Sequence, residues 1–222
     1  MRLRRAPQAL IYDLDGVLLD TEPFYTQVTQ EIVAQYGKTF DWSIKSNMIG
    51  RPSLESAQYL VGALELPIAA EEYLARRGAR LEELFRDSPS RPGAERFTRE
   101  MARRGAIQGV ATSSEQRLFE IKISRHHAWF SLFRAVVTGD DPRVRHGKPA
   151  PDIFLRAAED LGVEPISCVV FEDAPSGVEA ALAAGMQVVA LPDPAMDRSR
   201  YRDVTWLVDS FDEISPADIG WD

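Results

Sequence analysis

The segment from Ala9 to Leu18 constrains the fold more than any other part of this sequence. An apolar run, typical of a buried β-strand, ends abruptly in Asp13, Asp15 and Gly16. Side chains alternate along an extended chain, so the two carboxylates can project to the same side, where they repel unless a cation lies between them or one keeps its proton. Gly16 permits a sharp turn. The pattern is typical of a Mg²⁺-assisted carboxylate nucleophile with Asp15 available for proton transfer; a solvated acidic turn is the alternative.

Composition excludes several classes of partner. The 222 residues suffice for one large domain or for a core with an inserted module, and 45% of them are hydrophobic and 27% charged. The net charge of −8 argues against a nucleic-acid partner, and no apolar run reaches membrane-spanning length. The single cysteine, Cys168, lies in an apolar run and is expected to be an inert core residue. Because Asp13 and Asp15 interrupt the apolar stretch near the N-terminus, we predict no signal peptide and expect a cytoplasmic protein.

The hydrophobic periodicity changes near residue 92, which indicates two kinds of structure. Apolar residues recur at helical spacing from 22 to 91, between short Gly- and Pro-containing breaks, and predict an all-helical insert. Beyond it, predicted helices (one of them at 115–127) alternate with short apolar strands, which implies right-handed crossovers and a parallel sheet covered on both faces. We therefore predict an α/β fold with a doubly wound, parallel-sheet (Rossmann-like) core, formed by residues 1–21 and 92–222, and an inserted helical domain at 22–91.

Polar residues follow the predicted strands, and in such a sheet the ligand site lies beyond the carboxyl ends of the strands. Thr112 and Ser113 offer hydroxyls and backbone amides suited to phosphate oxygens, although such residues before a helix are often only caps. Lys148 lies between a glycine and a proline that would aim its ammonium; a solvated loop lysine is the alternative. Glu172 and Asp173 directly follow a buried strand, which is hard to explain unless something cationic lies opposite.

These acids have the chemistry of a magnesium site. The side chains of Asp13 and Asp173 and the backbone carbonyl of Asp15 would supply hard oxygen ligands, with waters and a phosphate oxygen completing the octahedron. Glu172 would bind through a water.

In their order along the chain, these motifs resemble those of the haloacid dehalogenase superfamily of phosphotransferases. The matching motifs are Asp-Leu-Asp-Gly-Val at 13–17, Thr-Ser-Ser at 112–114, Gly-Lys-Pro at 147–149 and Glu-Asp at 172–173. The resemblance covers nearly the whole chain, and the helical insert resembles the C1-type cap of that superfamily. Longer core segments, such as 170–181, resemble those of the pseudouridine-5′-phosphatases and the related plant glycerol-3-phosphate and FMN phosphatases.

The resemblance implies a Mg²⁺-dependent phosphatase that acts on a small phosphorylated metabolite. Asp13 would attack phosphorus and form an aspartyl-phosphate. Asp15 would protonate the leaving alcohol and then take a proton from the attacking water. Phosphoryl transfer depends mainly on in-line positioning and charge neutralisation, which this set of residues can supply.

The remaining motif residues would hold the phosphoryl group and the metal ion. By the resemblance, Thr112, Ser113 and Lys148 bind the transferring group, and Lys148 also neutralises charge in the transition state. Asp173 would anchor Mg²⁺ with support from Glu172. We expect no membrane or nucleic-acid partner and a monomeric protein.

Substrate choice in this superfamily resides in the cap, where Arg51 is our candidate for substrate contact; a surface arginine is the alternative. The nearest enzymatic rival is a phosphosugar mutase of the β-phosphoglucomutase type, which carries a histidine early in the cap. Here residues 22–26 contain none, and the first histidine of the chain is His126, which favours water as the acceptor. A haloalkanoate dehalogenase would leave Asp15 without an alcohol to protonate. A non-catalytic phospho-ligand binding module that has kept the fold remains a rival from another class.

Overall fold

The computed structural model describes residues 3–49 and 53–221, which divide into two compact units. The larger unit contains residues 3–20 and 88–221, and the smaller one contains residues 21–49 and 53–87. The smaller unit is thus an insertion between two parts of the larger one. None of the helices in the described ranges is both long and apolar enough to span a membrane.

The larger unit is built on a parallel sheet of six strands. In chain order these are β1 Ala9–Tyr12, β2 Ile107–Ala111, β3 Ala135–Val137, β4 Cys168–Glu172, β5 Gln187–Ala190 and β6 Trp206–Leu207. They lie side by side in the order β3-β2-β1-β4-β5-β6, with every pair parallel. The order of the strands reverses between β1 and β4, and the crevice beyond the carboxyl ends of such a pair is where this fold binds ligands. The predicted doubly wound, Rossmann-like core is confirmed.

Helices cover the sheet and form the insertion. The larger unit contains α5 Ala94–Arg103, α6 Gln116–Lys122, α7 His127–Phe130, α8 Asp152–Leu161 and α9 Pro175–Ala183; the insertion contains α1 Glu22–Ala34, α2 Trp42–Met48, α3 Ser53–Ala63 and α4 Ala70–Phe85. Short 3₁₀ turns occupy 165–167, 198–201, 211–213 and 216–219. The prediction of a single helix at 115–127 is wrong, because α6 ends at Lys122 and α7 begins at His127. Between the two helices, the amide of His126 donates to the carbonyl of Ile123, and the Nε2 of the His126 ring lies 2.8 Å from the carbonyl oxygen of Ser88.

The sheet holds β1 rigidly because this strand is buried on both faces. All four of its residues are inaccessible to solvent. On one face the ring of Tyr12 stacks on Phe171 of β4, with 4.8 Å between centroids, and Phe171 stacks in turn on Phe211 at 5.6 Å. Aromatic pairs of this kind add to the large apolar area that they bury. The residue that follows β1 therefore leaves the sheet from a well-fixed position.

The chain leaves and re-enters the larger unit at two paired crossings. Leu19 and Ser90 form an antiparallel bridge, the Asp20 amide donates to the Pro89 carbonyl at 2.9 Å, and the Arg91 amide donates to the Leu18 carbonyl at 2.9 Å. Just before the first crossing, the amides of Leu18 and Leu19 both bond to the carbonyl of residue 14, which closes a tight loop directly after β1.

The insertion is a helical unit with its own apolar centre. Val28, Ile32 and Val33 of α1 are buried, as are Tyr73 and Phe85 of α4. A buried hydrogen bond of 2.8 Å joins the hydroxyl of Thr29 to that of Tyr73, so these two buried polar groups satisfy each other.

Candidate active site

Asp13 directly follows β1 and points into a buried ion-pair cluster. Its amide continues the ladder to β4 by donating to the Phe171 carbonyl at 3.0 Å, and its side chain is only 9% exposed. The Nζ of Lys148, from the loop between β3 and α8, lies 2.5 Å from Asp13 Oδ1 and 2.6 Å from Oε1 of Glu172. It also donates to the Ala111 carbonyl at 3.3 Å. The structure thus brings together three residues that are far apart in the sequence, and the solvated-loop alternative for Lys148 is wrong.

The cluster carries more negative than positive charge, which affects the acidity of its members. Burial raises the pKa of Asp13 to about 7, with Lys148 opposing the rise and the charges of Glu172 and Asp15 adding to it. Burial lowers the pKa of Lys148, but Asp13 and Glu172 outweigh that effect and the net shift is upward. Lys148 is therefore a permanent cation, and the two carboxylates around it share one counter-charge.

Asp15 is held by a second lysine, which we did not predict. Lys122 Nζ lies 2.7 Å from both carboxylate oxygens of Asp15 and donates to Ser114 Oγ at 2.8 Å, and Ser114 Oγ donates to Asp15 Oδ2 at 2.9 Å. Lys122 is the last residue of α6 and is 1% exposed. The sequence contained a signal for it, because Phe119, Lys122 and Ile123 share the helical spacing of an apolar face, which is an unusual place for a lysine.

Glu172 and Asp173 are packed against glycines that leave no room for a side chain. Glu172 is buried and its Oε2 accepts from the amide of residue 174 at 2.9 Å, while a Cβ at Gly177 would lie 1.7 Å from its Oε1. Gly16 has a φ of +80°, and a Cβ there would lie 2.2 Å from Asp173 Oδ2. The turn after β1 and the end of β4 therefore approach each other at glycine positions, and substitution of either glycine would push a carboxylate out of place.

A tyrosine that the sequence did not point to fixes the backbone of this segment. The hydroxyl of Tyr201, in the 3₁₀ turn at 198–201, donates to the Asp173 carbonyl at 2.6 Å. Burial and the nearby carboxylates of Asp173 and Glu172 raise the pKa of Tyr201, so the hydroxyl keeps the proton that it donates.

Thr112 and Ser113 lie directly after β2, beside β1. The Thr112 amide donates to the Val137 carbonyl at 3.0 Å, and its Oγ1 accepts from the Ser114 amide at 3.1 Å, so this hydroxyl also serves the local turn. Ser113 is exposed, and its carbonyl oxygen is so close to Gly139 that a Cβ there would lie 2.4 Å away. The hydroxyl of Ser114 donates the hydrogen bond that joins this segment to Asp15. Arg51, the predicted substrate contact, lies outside the described residues.

The donor set at the carboxyl ends of β1 and β4 is chemically suited to Mg²⁺. Asp13 and Glu172 contact Lys148, Asp15 contacts Lys122, and Asp173 lies beside Gly16, so these strand ends carry several hard carboxylate oxygens of the kind that Mg²⁺ prefers. No group of three or more His, Cys, Asp or Glu side chains with the arrangement of a metal cage occurs within 3–49 and 53–221. Mg²⁺ does not require one, because it keeps several waters and uses one or two carboxylates.

Comparison with known proteins assigns the family. Residues 7–185 match the model of the haloacid dehalogenase-like hydrolases. The chain belongs to this family. It is 44% identical to (DL)-glycerol-3-phosphatase 1, mitochondrial, of Arabidopsis thaliana, over 95% of this chain and 72% of that protein. It is 42% identical to a Drosophila melanogaster protein named "Probable pseudouridine-5′-phosphatase", over 95% of this chain and 92% of that protein.

A solved structure shows the same fold. The crystal structure of a "putative beta-phosphoglucomutase" from Thermotoga maritima superimposes with a TM-score of 0.76 at 31% identity, over 92% of this chain and 95% of that one. The predicted superfamily is confirmed, and the family and the two named relatives together identify the chain as a phosphatase.

The raised pKa of Asp13 predicts that the metal-free protein loses stability as pH rises. The folded-state pKa of about 7 exceeds the usual 3.8, so the folded protein holds this proton more tightly than the unfolded chain does. The favourable contribution is therefore complete below about pH 4 and is lost as pH rises through about 7. We expect the free energy of unfolding to fall by on the order of 3 kcal/mol between about pH 5 and 8.5.

Denaturant unfolding in EDTA at several pH values measures this change. Asp13→Asn is the matched control, because it lacks the titrating group and should not show this part of the decline. A wild-type curve that runs parallel to the Asp13→Asn curve over the whole range would contradict the prediction. Added Mg²⁺ should restore stability to the wild type at pH 8 more than to the variant.

Proposed function

We propose that this enzyme is a Mg²⁺-dependent phosphomonoester hydrolase that works through an aspartyl-phosphate intermediate on Asp13. The single observation that carries the proposal is the buried pair of Asp13 and Lys148, with 2.5 Å between Oδ1 and Nζ, next to the separately held carboxylate of Asp15. A carboxylate beside a permanent cation is a suitable nucleophile for an anionic phosphorus centre, and a second carboxylate two residues away can move protons.

In the first step, a carboxylate oxygen of Asp13 forms a bond to phosphorus. The bond from phosphorus to the ester oxygen breaks, its electron pair goes to the leaving oxygen, and Asp15, which enters this step protonated, gives that oxygen its proton. In the second step, water attacks phosphorus, Asp15 takes the proton from this water, and the bond between Asp13 and phosphorus breaks. Free phosphate and the original two aspartates remain.

The other residues of the site neutralise charge and orient the phosphoryl group. Lys148 stabilises the negative charge on the transferring group, and Thr112 and Ser113 donate hydrogen bonds to its oxygens. Mg²⁺, held by Asp13, the Asp15 carbonyl and Asp173 with support from Glu172, would supply charge neutralisation of the phosphoryl oxygens.

The proposed substrate is a small phosphorylated metabolite such as pseudouridine 5′-phosphate or a related sugar, polyol or nucleotide phosphate. The relatives from Arabidopsis thaliana and Drosophila melanogaster support this class by their names, and they disagree on the ester. We propose that the chain works as a cytoplasmic monomer without a membrane or nucleic-acid partner; the net charge of −8 is unfavourable for a nucleic-acid backbone.

A phosphosugar mutase is the second candidate, and the likeness to the Thermotoga maritima structure favours it. Such an enzyme needs a group that moves the proton of the acceptor sugar hydroxyl. Helix α1 (Glu22–Ala34) has no histidine, and the three histidines of the chain are His126, His127 and His146, which all lie in the larger unit. Hydrolysis therefore remains the better-supported reaction.

Phosphate release from a panel of phosphomonoesters tests the proposal. The panel contains pseudouridine 5′-phosphate, glycerol 3-phosphate, FMN, hexose phosphates and nucleotides, each with Mg²⁺ and with EDTA. We expect Mg²⁺-dependent release, with one ester preferred by at least about tenfold in kcat/KM, since pocket contacts discriminate by about 1–3 kcal/mol. Phosphate that moves between positions of a hexose without being released would support the mutase. Absence of both reactions would contradict the proposal and favour a non-catalytic module that binds a phosphorylated ligand.

A further inference from the structure

The buried lysine of α6 takes no part in the proposed bond-breaking and proton-transfer steps. Lys122 is 1% exposed, and its ammonium lies 2.7 Å from each Asp15 oxygen and 2.8 Å from Ser114 Oγ. An ammonium has three donors, so it can make all of these contacts. All of these partners belong to the segments after β1 and β2.

This burial is costly, so the fold alone does not account for it. A buried ion pair gives on balance little stability compared with apolar side chains of similar size, and α6 otherwise buries Phe119 on this side. An apolar residue at position 122 would therefore serve the packing of α6 at least as well. The lysine is better explained by what it does to Asp15.

We propose that Lys122, together with Ser114, is a positioning residue that holds the Asp15 carboxylate in the orientation needed for proton transfer. This inference rests on the proposed function, in which Asp15 exchanges a proton first with the leaving oxygen and then with water. Lys122 engages both oxygens at equal distance and Ser114 donates to Oδ2, so rotation of the carboxylate would break more than one contact. A proton donor held in one orientation transfers its proton more efficiently than one that must first be ordered.

The two lysines of the site therefore serve different aspartates. Lys148 contacts Asp13 and Glu172, and Lys122 contacts Asp15. Loss of Lys148 should affect every substrate, because every substrate presents a phosphoryl group. Loss of Lys122 should affect the first step only to the extent that the leaving oxygen needs a proton. An alkoxide is a strong base and needs one, whereas p-nitrophenolate is weakly basic and leaves without one.

The test compares kcat/KM for an alkyl and an aryl phosphate, because kcat/KM reports the steps up to departure of the alcohol. For Lys122→Met we expect a loss of about 30- to 100-fold with the preferred alkyl ester and less than about threefold with p-nitrophenyl phosphate, since general acid catalysis contributes about 10²–10⁴-fold. Phe119→Leu is the matched control: it weakens the packing of the same helix through a buried side chain without removing a contact to Asp15. Phe119→Leu should lower kcat/KM by the same factor for the alkyl and the aryl ester.

Two further variants keep the result interpretable. Ser114→Ala, at a half-buried position, removes one contact to Asp15 and one to Lys122 and should cost about three- to tenfold with the alkyl ester alone, which tests the inference even where Lys122→Met fails to fold. In an Asp15→Asn background, Lys122→Met should cause little further loss of kcat/KM. Equal losses for the two esters in every variant would overturn the positioning role. Wild-type protein without phosphatase activity towards either ester would overturn the proposed function instead.

Discussion

Asp13→Asn is expected to lower kcat by at least about 10⁴-fold and to leave the protein folded. Asparagine has nearly the same shape as aspartate, so it preserves the packing after β1, but its amide does not attack phosphorus. In metal-free protein at about pH 8 the variant should be more stable than the wild type, because it removes a carboxylate whose charged form is disfavoured in the folded protein by burial and by the charges of Glu172 and Asp15, as the raised pKa shows. The substitution is thus expected to lower the activity and to raise the stability of the metal-free protein.

Steady-state phosphate release and denaturant unfolding measure the two effects on the same preparation. Asp209→Asn, at an exposed carboxylate paired with Arg198, is the matched control and should change neither property by much. Acid-quenched wild-type enzyme should contain covalently bound phosphate during turnover, and Asp13→Asn should contain none. Turnover near the wild-type level, with the substitution verified by mass, would refute the role of Asp13.

Lys148→Met is expected to destabilise the protein by about 3–5 kcal/mol, because it leaves two buried carboxylates without their shared cation. The ammonium lies 2.5 Å from Asp13 and 2.6 Å from Glu172, and both acids are almost inaccessible to solvent. Loss of activity should exceed about 10²-fold for alkyl and aryl esters alike, since the transferring phosphoryl group loses a charge partner. The destabilisation should be smaller at about pH 6 than at about pH 8, because protonation of one acid relieves the repulsion.

Lys38→Met is the comparison for this variant. Lys38 is 37% exposed and its nearest carboxylate, in Glu65, is 4.0 Å away, so its loss should change the free energy of unfolding by less than about 0.5 kcal/mol. Denaturant unfolding at the two pH values provides the measurement. A Lys148→Met protein as stable as Lys38→Met at about pH 8 would mean that the cluster around Asp13 is not held together by its ammonium.

The parts of the site that could be predicted from sequence are the polar or charged residues that stand at the ends of predicted strands. Asp13, Thr112 and Glu172 directly follow or end parallel strands, and such ends meet at one edge of the sheet whatever the rest of the fold does. Lys148 was predictable because it lies in a Gly-Lys-Pro motif, whose proline restricts the backbone of the lysine. Each of these inferences needs only local pattern and the rule on ligand sites in such sheets.

The residues that were missed depend on tertiary packing. Lys122 lies on a helix, and only the packing of α6 on the sheet decides that its ammonium reaches Asp15. Tyr201 acts through a 3₁₀ turn, and nothing in the local pattern links it to Asp173. The break in the predicted helix at 115–127 has the same origin, since His126 turns towards the Ser88 carbonyl. Local periodicity does not register such long-range contacts.

The paired crossings at Leu18–Asp20 and Pro89–Arg91 have a consequence for how such enzymes diversify. Because these short segments are hydrogen-bonded to each other, the inserted chain starts and finishes at neighbouring points of the larger unit. An insertion with adjacent ends can lengthen, shorten or be exchanged at little cost in loop-closure entropy, and the loop that carries Asp13 and Asp15 need not move. If Asp13 and Asp15 catalyse the reaction as we propose, the inserted helices can be exchanged in evolution while the positions of these two residues are kept.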